Sequence, residues 1–319
     1  MDVVWWLQSL EDVLLSKSNP TPGRTIFFHE TTCNRHRSQD SQFHVMNLTA
    51  RQACAIESAA LHNPNFDVFV LFSCPTLRPL SIAQKSLINV IESIPNVHFR
   101  QLNLQKYATD TPVEDWIKKG YMLKGRYPME HTSDLLRLIS LYRYGGIYID
   151  LDVVVLRSLE DVPLNYVGAF DNVTLGNGVL SVEPTGTGHE IAELFLRDFK
   201  SNYTGEEYTR NGPQGIRRVV RAICGVEIVK AIEEGRKICR GFQVFNSTAF
   251  YALPYQQWRH STDPEFLEDT MEKTKDSYLI HLWNNLSHKK LFKVGSNTAY
   301  GKYAEIHCPK SYAAAGEYF

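Results

Sequence analysis

The feature that most limits this chain is an alternation of short apolar runs with longer amphipathic ones. "RTIFFHET" (24–31), "FDVFVLFSCP" (66–75) and "NVHFRQLNL" (96–104) have the length and β-branched or aromatic content of strands. Between them lie "TARQACAIESAALHNP" (49–64), stopped by Pro64, and "LSIAQKSLINVIESIP" (80–95), both with helical spacing of apolar residues. Strand, helix, strand, helix, strand requires crossover connections, and so a parallel sheet covered by helices. A further helix, "TSDLLRLISLYRYGG" (132–146), can be capped by Thr132 or Ser133 and is stopped by Gly145 and Gly146. It feeds the apolar stretch "YGGIYIDLDVVVL" (144–156).

After Asp152 the pattern loosens. "NYVGAFDNVTLGNGVLSVEP" reads as short strands and turns, "GTGHEIAELFLRDFKSNY" as a helix, and "NGPQGIRRVVRAICG" as a loop entering another helix. The last third is aromatic-rich and irregular. No linker interrupts the chain, so the reading is one α/β domain with an elaborated C-terminal half.

With 319 residues and 43% hydrophobic content the chain can bury a sizeable core. Its 34 basic and 35 acidic side chains give no support to a nucleic-acid binder. Six cysteines without a C-x-x-C pair, and N-x-[ST] sequons at Asn47, Asn172, Asn202, Asn246 and Asn285, point to an oxidising, secretory setting. The opening run "VVWWL" is far too short to span a membrane and lacks the flanks of a signal peptide. Pairing of Cys33 with Cys54, and of Cys224 with Cys239, is suggested only by proximity in sequence.

Asp150 and Asp152 interrupt the apolar stretch one residue apart, and on a regular strand they would share a face. Like charges at the carboxyl edge of a parallel sheet, where such folds bind ligands, call for a cation. Carboxylate and phosphate oxygens are ligands preferred by Mg²⁺ or Mn²⁺. The bland alternative is two aspartates in a strand-to-loop turn. A second alternative is the nucleophile motif of haloacid-dehalogenase-type phosphatases, which normally sits on the first strand and needs a later acidic pair; none is evident here.

The ordered set "ACAIESAA", "DTPVEDW", "GGIYIDLD", "GNGVL", "NGPQGIRRV", "CRGFQVFNSTAFYALPYQQW" and "YLIHLWN" resembles the alpha-1,4-glycosyltransferase family of lactosylceramide 4-alpha-galactosyltransferase, which has a sugar-binding-region DXD motif. The resemblance implies a GT-A type nucleotide-diphospho-sugar transferase fold, Rossmann-like, with a mostly parallel central sheet and helices on both faces. It also implies a UDP-sugar donor, UDP-galactose or UDP-N-acetylgalactosamine, and Mn²⁺. The bond formed would be an α-1,4 linkage, made with retention, to a glycosphingolipid. An alpha-1,4-N-acetylglucosaminyltransferase acting on glycoprotein glycans, and a catalytically inactive carbohydrate-binding relative, are the alternatives. Relatives are type II Golgi membrane proteins, so residues 1–23 would be a stem remnant lacking its anchor. The catalytic domain would run over 24–310, with a nucleotide-sugar half (24–160) and an acceptor half (161–310), leaving a tail at 311–319.

Residue by residue, Asp152 matches the direct metal ligand and Asp150 a residue shared between metal and donor. Asp134 and Arg137 match the element that holds the donor sugar. They are three apart, so one helix face presents both; an intrahelical ion pair is the structural alternative. His281 is a candidate third metal ligand, or a structural histidine, and Trp283 a candidate nucleotide contact. "GNGVL" reads as a turn around Asn177 that lets backbone approach a ligand, and "NGPQG" as a tight loop carrying Gln214. Asn177 and Gln214 are candidates to contact the acceptor or the reacting sugar. His29, Glu30 and Thr31 would meet the uridine. Phe250, Tyr251, Tyr255 and Trp258 are candidates to stack on acceptor sugars, or core.

Overall fold

The computed structural model describes residues 9–32, 44–79, 82–121, 125–171, 173–225 and 236–319. Cys33 and the sequon at Asn172 lie outside the described residues.

The predicted alternation is present. Strands β1 (Thr25–Glu30), β2 (Asp67–Phe72) and β3 (Val97–Gln101) pair in parallel, joined by helices α1 (Ala50–His62) and α2 (Ile82–Glu92). Thr49 and Gln52 close a reciprocal capping box at the start of α1. Helix α3 (Pro128–Tyr144) leads into β4 (Gly146–Ile149), which lies parallel beside β1. It starts about one turn earlier than the Thr132 or Ser133 cap expected from sequence. Pro128 occupies its first turn, where a missing N–H costs nothing, and Thr132 Oγ1 donates to the Pro128 carbonyl at 2.6 Å. Gly145 ends the helix at φ +62°, a conformation side-chain-bearing residues rarely adopt. Gly146, at φ +91°, brings β4 so close to β1 that a Cβ would meet the Thr25 carbonyl oxygen.

β5 (Val153–Val155) leaves the main sheet. β6 (Tyr166–Ala169), β7 (Leu175–Val182), β8 (Arg236–Cys239) and β9 (Phe242–Phe245) complete it, in the order β8-β9-β6-β7-β4-β1-β2-β3. Four of the seven pairings are parallel, so the sheet is mostly parallel with an antiparallel centre at β7. Strand alternation sorts the core into two layers. Phe27, Phe69 and Leu71 face a cluster with α3, α4 (Gly186–Asn202) and α5 (Pro213–Cys224). Ile26, Phe28, Val68 and Val70 face α1 and α2. This is the two-sided, Rossmann-like architecture expected of a GT-A type fold.

The described residues of the segments set apart as stem and tail, from Ser9 onward at the N-terminal side, pack on the same domain. Leu10 and Val13 are buried, and their N–H groups donate to the Thr76 and Gln101 carbonyls at 2.9 Å. At the other end the Glu57 carboxylate, buried in α1, accepts from the N–H groups of Lys310 and Ser311 at 3.0 and 2.7 Å. Cys54 bonds Cys308 across 254 residues, which corrects the expected Cys33–Cys54 pair. Proximity in sequence carried no information there, because sheet crossovers bring α1 against the C-terminal helices. Cys224–Cys239 forms as expected.

Candidate active site

The strand carrying Asp150 and Asp152 does not stay regular. β4 ends at Ile149 and β5 begins at Val153, with a bend between them, so the two aspartates do not share a face by strand alternation. A third residue unites them. β10 (Leu279–His281) pairs antiparallel with β5, with His281 opposite Val153. His281 Nε2 then stands 3.6 Å from Asp150 Oδ2 and 3.3 Å from Asp152 Oδ1. Ligand-capable atoms of all three lie within 4.8 Å of one another.

Each acid is held from behind. The Asp150 N–H donates to the Gly178 carbonyl at 2.8 Å, and Tyr148 Oη donates to Asp150 Oδ1 at 2.6 Å. The Asn284 N–H donates to Asp152 Oδ2 at 2.8 Å. Arg137 Nη1 lies 3.2 Å from Asp150 Oδ1, and Arg137 Nη2 lies 3.3 Å from Asp134 Oδ1. The same guanidinium donates to the Asn177 carbonyl at 2.5 Å and to Ser133 Oγ at 3.0 Å. Asn177 Nδ2 donates to Asp134 Oδ1 at 2.7 Å.

Burial would raise the Asp150 pKa, but Arg137 and His281 outweigh it and hold this carboxylate well below its usual range. Burial raises Asp152, with His281 opposing and the charge of Asp150 reinforcing. His281 is pushed down by burial, yet the two aspartates outweigh that and its net shift is upward. Asp134 is pushed up to about 6 by burial, against the pull of Arg137 and Asn177.

Asp150, Asp152 and His281 fit a divalent cation. The donor set is two carboxylates and one imidazole, and the space in front of it is kept clear. A Cβ on Gly178 would fall 2.6 Å from Asp150 Oδ2 and 3.2 Å from His281 Nε2. Gly212 is as constrained: a Cβ there would fall 2.4 Å from Asn177 Nδ2 and 2.6 Å from Asp134 Oδ2. Both glycines lie in segments first read as loops. Gly176 and Gly178 are instead interior to β7, and Gly212 is the N-cap of α5 with Pro213 in its first turn. A Cβ at either position would press on the functional side chains themselves, so glycine there leaves them the room they occupy.

These groups open into one cavity of about 1020 Å³. Of the residues singled out in the sequence, Thr31, Asp134, Arg137, Asp150, Asp152, Asn177, Gln214, His281 and Trp283 line it. His29 and Glu30 do not. His29 is buried with Nε2 3.0 Å from Ser140 Oγ, and burial, helped by Arg137, lowers its pKa to about 3. Glu30 accepts from the Thr32 N–H at 2.6 Å and from Gln52 Nε2 at 2.7 Å. His29 is taken up by Ser140 and Glu30 by Thr32 and Gln52, on opposite faces of the strand end, and only Thr31 reaches the opening. Of the aromatic run only Tyr255 lines the cavity, while Phe250 and Tyr251 are core. Trp283, at φ +54°, anchors its indole N–H on the Leu253 carbonyl at 2.8 Å. Tyr148, Ser133, Gly212 and the arginines of α5 were missed. Tyr148 was legible, since it precedes Asp150 by two positions in the strand.

Known families match this chain in sequence. The family described as glycosyltransferase sugar-binding region containing DXD motif matches residues 49–173, and the alpha 1,4-glycosyltransferase conserved region matches residues 184–315. The chain is thus a D-x-D glycosyltransferase, a hexosyl-transferring enzyme. Lactosylceramide 4-alpha-galactosyltransferase of Homo sapiens is 30% identical over 305 residues, covering 94% of this chain and 79% of that protein. Alpha-1,4-N-acetylglucosaminyltransferase of Homo sapiens is 26% identical over 263 residues, covering 82% and 74%. The chain belongs to the alpha-1,4-glycosyltransferase family. Among solved structures, the PaToxG glycosyltransferase aligns at 15% identity and a TM-score of 0.44, over 67% of this chain and 73% of that one. The galactosyltransferase LgtC aligns at 15% identity and 0.38, over 91% and 95%. Among the described residues no helix is long and apolar enough to cross a membrane.

Proposed function

We propose that the chain transfers galactose or N-acetylgalactosamine, with retention, from a UDP-sugar in α-1,4 linkage to the terminal sugar of a glycolipid, using Mn²⁺ in the lumen of the Golgi. The observation that carries this reading is the meeting of the Asp150–Asp152–His281 group with the Asp134–Arg137–Asn177 group in one cavity.

Asp150, Asp152 and His281 would hold the cation, which supplies positive charge to offset the departing diphosphate. Asp134 accepts hydrogen bonds from sugar hydroxyls while Arg137 fixes its orientation and that of Asp150. Thr31 and Trp283 flank the nucleotide, and Gln214 and Asn177 approach the reacting sugar. Asp134 and Asp150, the carboxylates assigned to the sugar and the metal, are both engaged by Arg137 and so are poorly placed to act as nucleophiles. The favoured course is therefore substitution on one face of the sugar. The C1–O bond to the diphosphate breaks, the acceptor oxygen bonds C1, and the acceptor's proton passes to the leaving phosphate oxygen. The same engagement of Asp150 by Arg137 and Tyr148 argues against a phosphoryl-accepting role for it.

The test is incubation with UDP-galactose, UDP-N-acetylgalactosamine and UDP-N-acetylglucosamine, with and without Mn²⁺, for the native chain and Asp152→Ala. Metal-dependent release of UDP from one donor, lost in the variant, is expected. Unchanged turnover in the variant would overturn the reading, and a preference for UDP-N-acetylglucosamine would favour the alternative donor.

A further inference from the structure

One buried charge plays no part in the proposed transfer. Arg51, in the first turn of α1, is 8% exposed, and its guanidinium lies over the rings of Phe292 and Tyr300 at 5.7 and 5.4 Å. Burial lowers its pKa, so the fold holds a cation there against a desolvation penalty. Its hydrogen bonds run to the segment that follows β10. Arg51 Nη1 donates to the Ser287 carbonyl at 3.0 Å and to Ser287 Oγ at 3.4 Å. Arg51 Nη2 donates to the Lys290 carbonyl and, at 3.5 Å, to an oxygen of Phe319. A guanidinium offers five donors on a rigid fork, so one side chain can fix several acceptors at once.

The oxygens it holds lie at the end of a short helix, α6 (Asn284–Ser287), whose start touches the acid–acid–imidazole group. Ser287 Oγ donates to the Leu282 carbonyl at 2.8 Å, and the Ser287 N–H donates to the Trp283 carbonyl at 2.9 Å. The Leu282 N–H donates to the Asp152 carbonyl at 2.8 Å, and the Asn284 N–H to Asp152 Oδ2 at 2.8 Å. Residues 282–287 are thus a turn tied at one side to Asp152 and at the other to Arg51. Trp283, within the turn, stands at φ +54°. A non-glycine residue keeps that left-handed conformation only where its surroundings over-determine it.

We infer that Arg51 is a positioning residue of the cation site: by clamping Ser287 and Lys290 it fixes the turn that presents the Asn284 N–H to Asp152, and so sets the carboxylate against His281. The inference rests on the reading of Asp150, Asp152 and His281 as ligands of a divalent cation. A second buried charge on α1 provides a control. The Glu57 carboxylate holds the start of another helix, α7 (Pro309–Ala313), through the N–H groups of Lys310 and Ser311.

The experiment measures Mn²⁺ binding to the full chain by calorimetry, and the thermal midpoint of the same samples, for the native chain and four variants. Arg51→Met is expected to bind Mn²⁺ at least about tenfold more weakly, as residues that orient a metal ligand commonly do when removed. Arg51→Lys should fall between that variant and the native chain, because an ammonium cannot span both carbonyls. Ser287→Ala should also weaken binding, since it unties the turn without touching α1. Glu57→Gln should lower the thermal midpoint and keep the native Mn²⁺ affinity. Native affinity in Arg51→Met overturns the inference. If that variant does not fold, native affinity in both Arg51→Lys and Ser287→Ala overturns it. So does an equal loss of Mn²⁺ affinity in Glu57→Gln, which would trace the effect to general destabilisation. Failure of the cation reading itself shows separately, as absence of Mn²⁺ binding to the native chain, and removes the inference with it.

Discussion

Arg137 and Asp150 face each other at 3.2 Å with both side chains largely withdrawn from water, and the other arm of the same guanidinium lies 3.3 Å from Asp134. One cation thus holds apart, and in place, the carboxylate assigned to the metal and the carboxylate assigned to the sugar. Arg137 also lies over the Tyr148 ring at 4.4 Å, which fixes the plane of the fork.

Arg137→Met should therefore strip two buried carboxylates of the cation they share. A stability loss of about 3 kcal/mol or more is expected in urea unfolding, since truncating one partner of a buried pair leaves the other charge stranded. Arg137→Lys should recover most of that stability but less than about a hundredth of the turnover, because a point charge cannot reproduce the two-armed geometry.

Gly178→Ala should separate folding from metal binding. The added Cβ would press on Asp150 Oδ2 and His281 Nε2, so divalent affinity should drop about tenfold or more while the thermal midpoint moves little. Calorimetric titration with Mn²⁺ reads the first quantity and scanning calorimetry the second.

Metal affinity should rise with pH. The aspartates raise the pKa of His281, and a protonated imidazole cannot ligate. Below that raised pKa each cation bound releases a proton, so affinity should climb about tenfold per pH unit and then level off once His281 is neutral. Titrations at several pH values, in buffers of different ionisation enthalpy, would count the proton.

Asp134→Asn should stabilise the fold at neutral pH while reducing turnover. Burial raises the Asp134 pKa to about 6 from 3.8, so the folded state holds its proton more tightly than the unfolded chain does. Wild-type stability should thus gain as pH falls from 6 toward 4, and the charged form is the penalised one above 6. The advantage of the asparagine variant should be at most about 3 kcal/mol near pH 7.5 and vanish below about pH 4. Chemical unfolding across that range checks the sign.

Much of this was legible in the sequence, and the failures share a cause. The strand–helix alternation through residue 101 could be read because each segment's apolar spacing is local. Asp150 and Asp152 could be singled out from an apolar stretch, but their convergence depends on a bend after Ile149 and on the β5–β10 register, set about 130 residues apart in sequence. The Cys54–Cys308 bond is equally non-local. His29 and Glu30 precede the lining residue Thr31, but their side chains are engaged by Ser140 and by Thr32 and Gln52, partners that no local pattern reveals. Gly178 and Gly212 read as loop formers because glycine's use as empty space beside a side chain leaves no local pattern.

The central claim is that Asp150, Asp152 and His281 jointly hold a divalent cation that completes the site for a nucleoside diphosphate. It is tested most directly by titrating UDP into the native chain and into Asp152→Asn, each with and without Mn²⁺. The native chain should bind UDP at least about tenfold more tightly with the metal, and the variant should show no metal dependence. Equal UDP affinity in all four titrations would contradict the account.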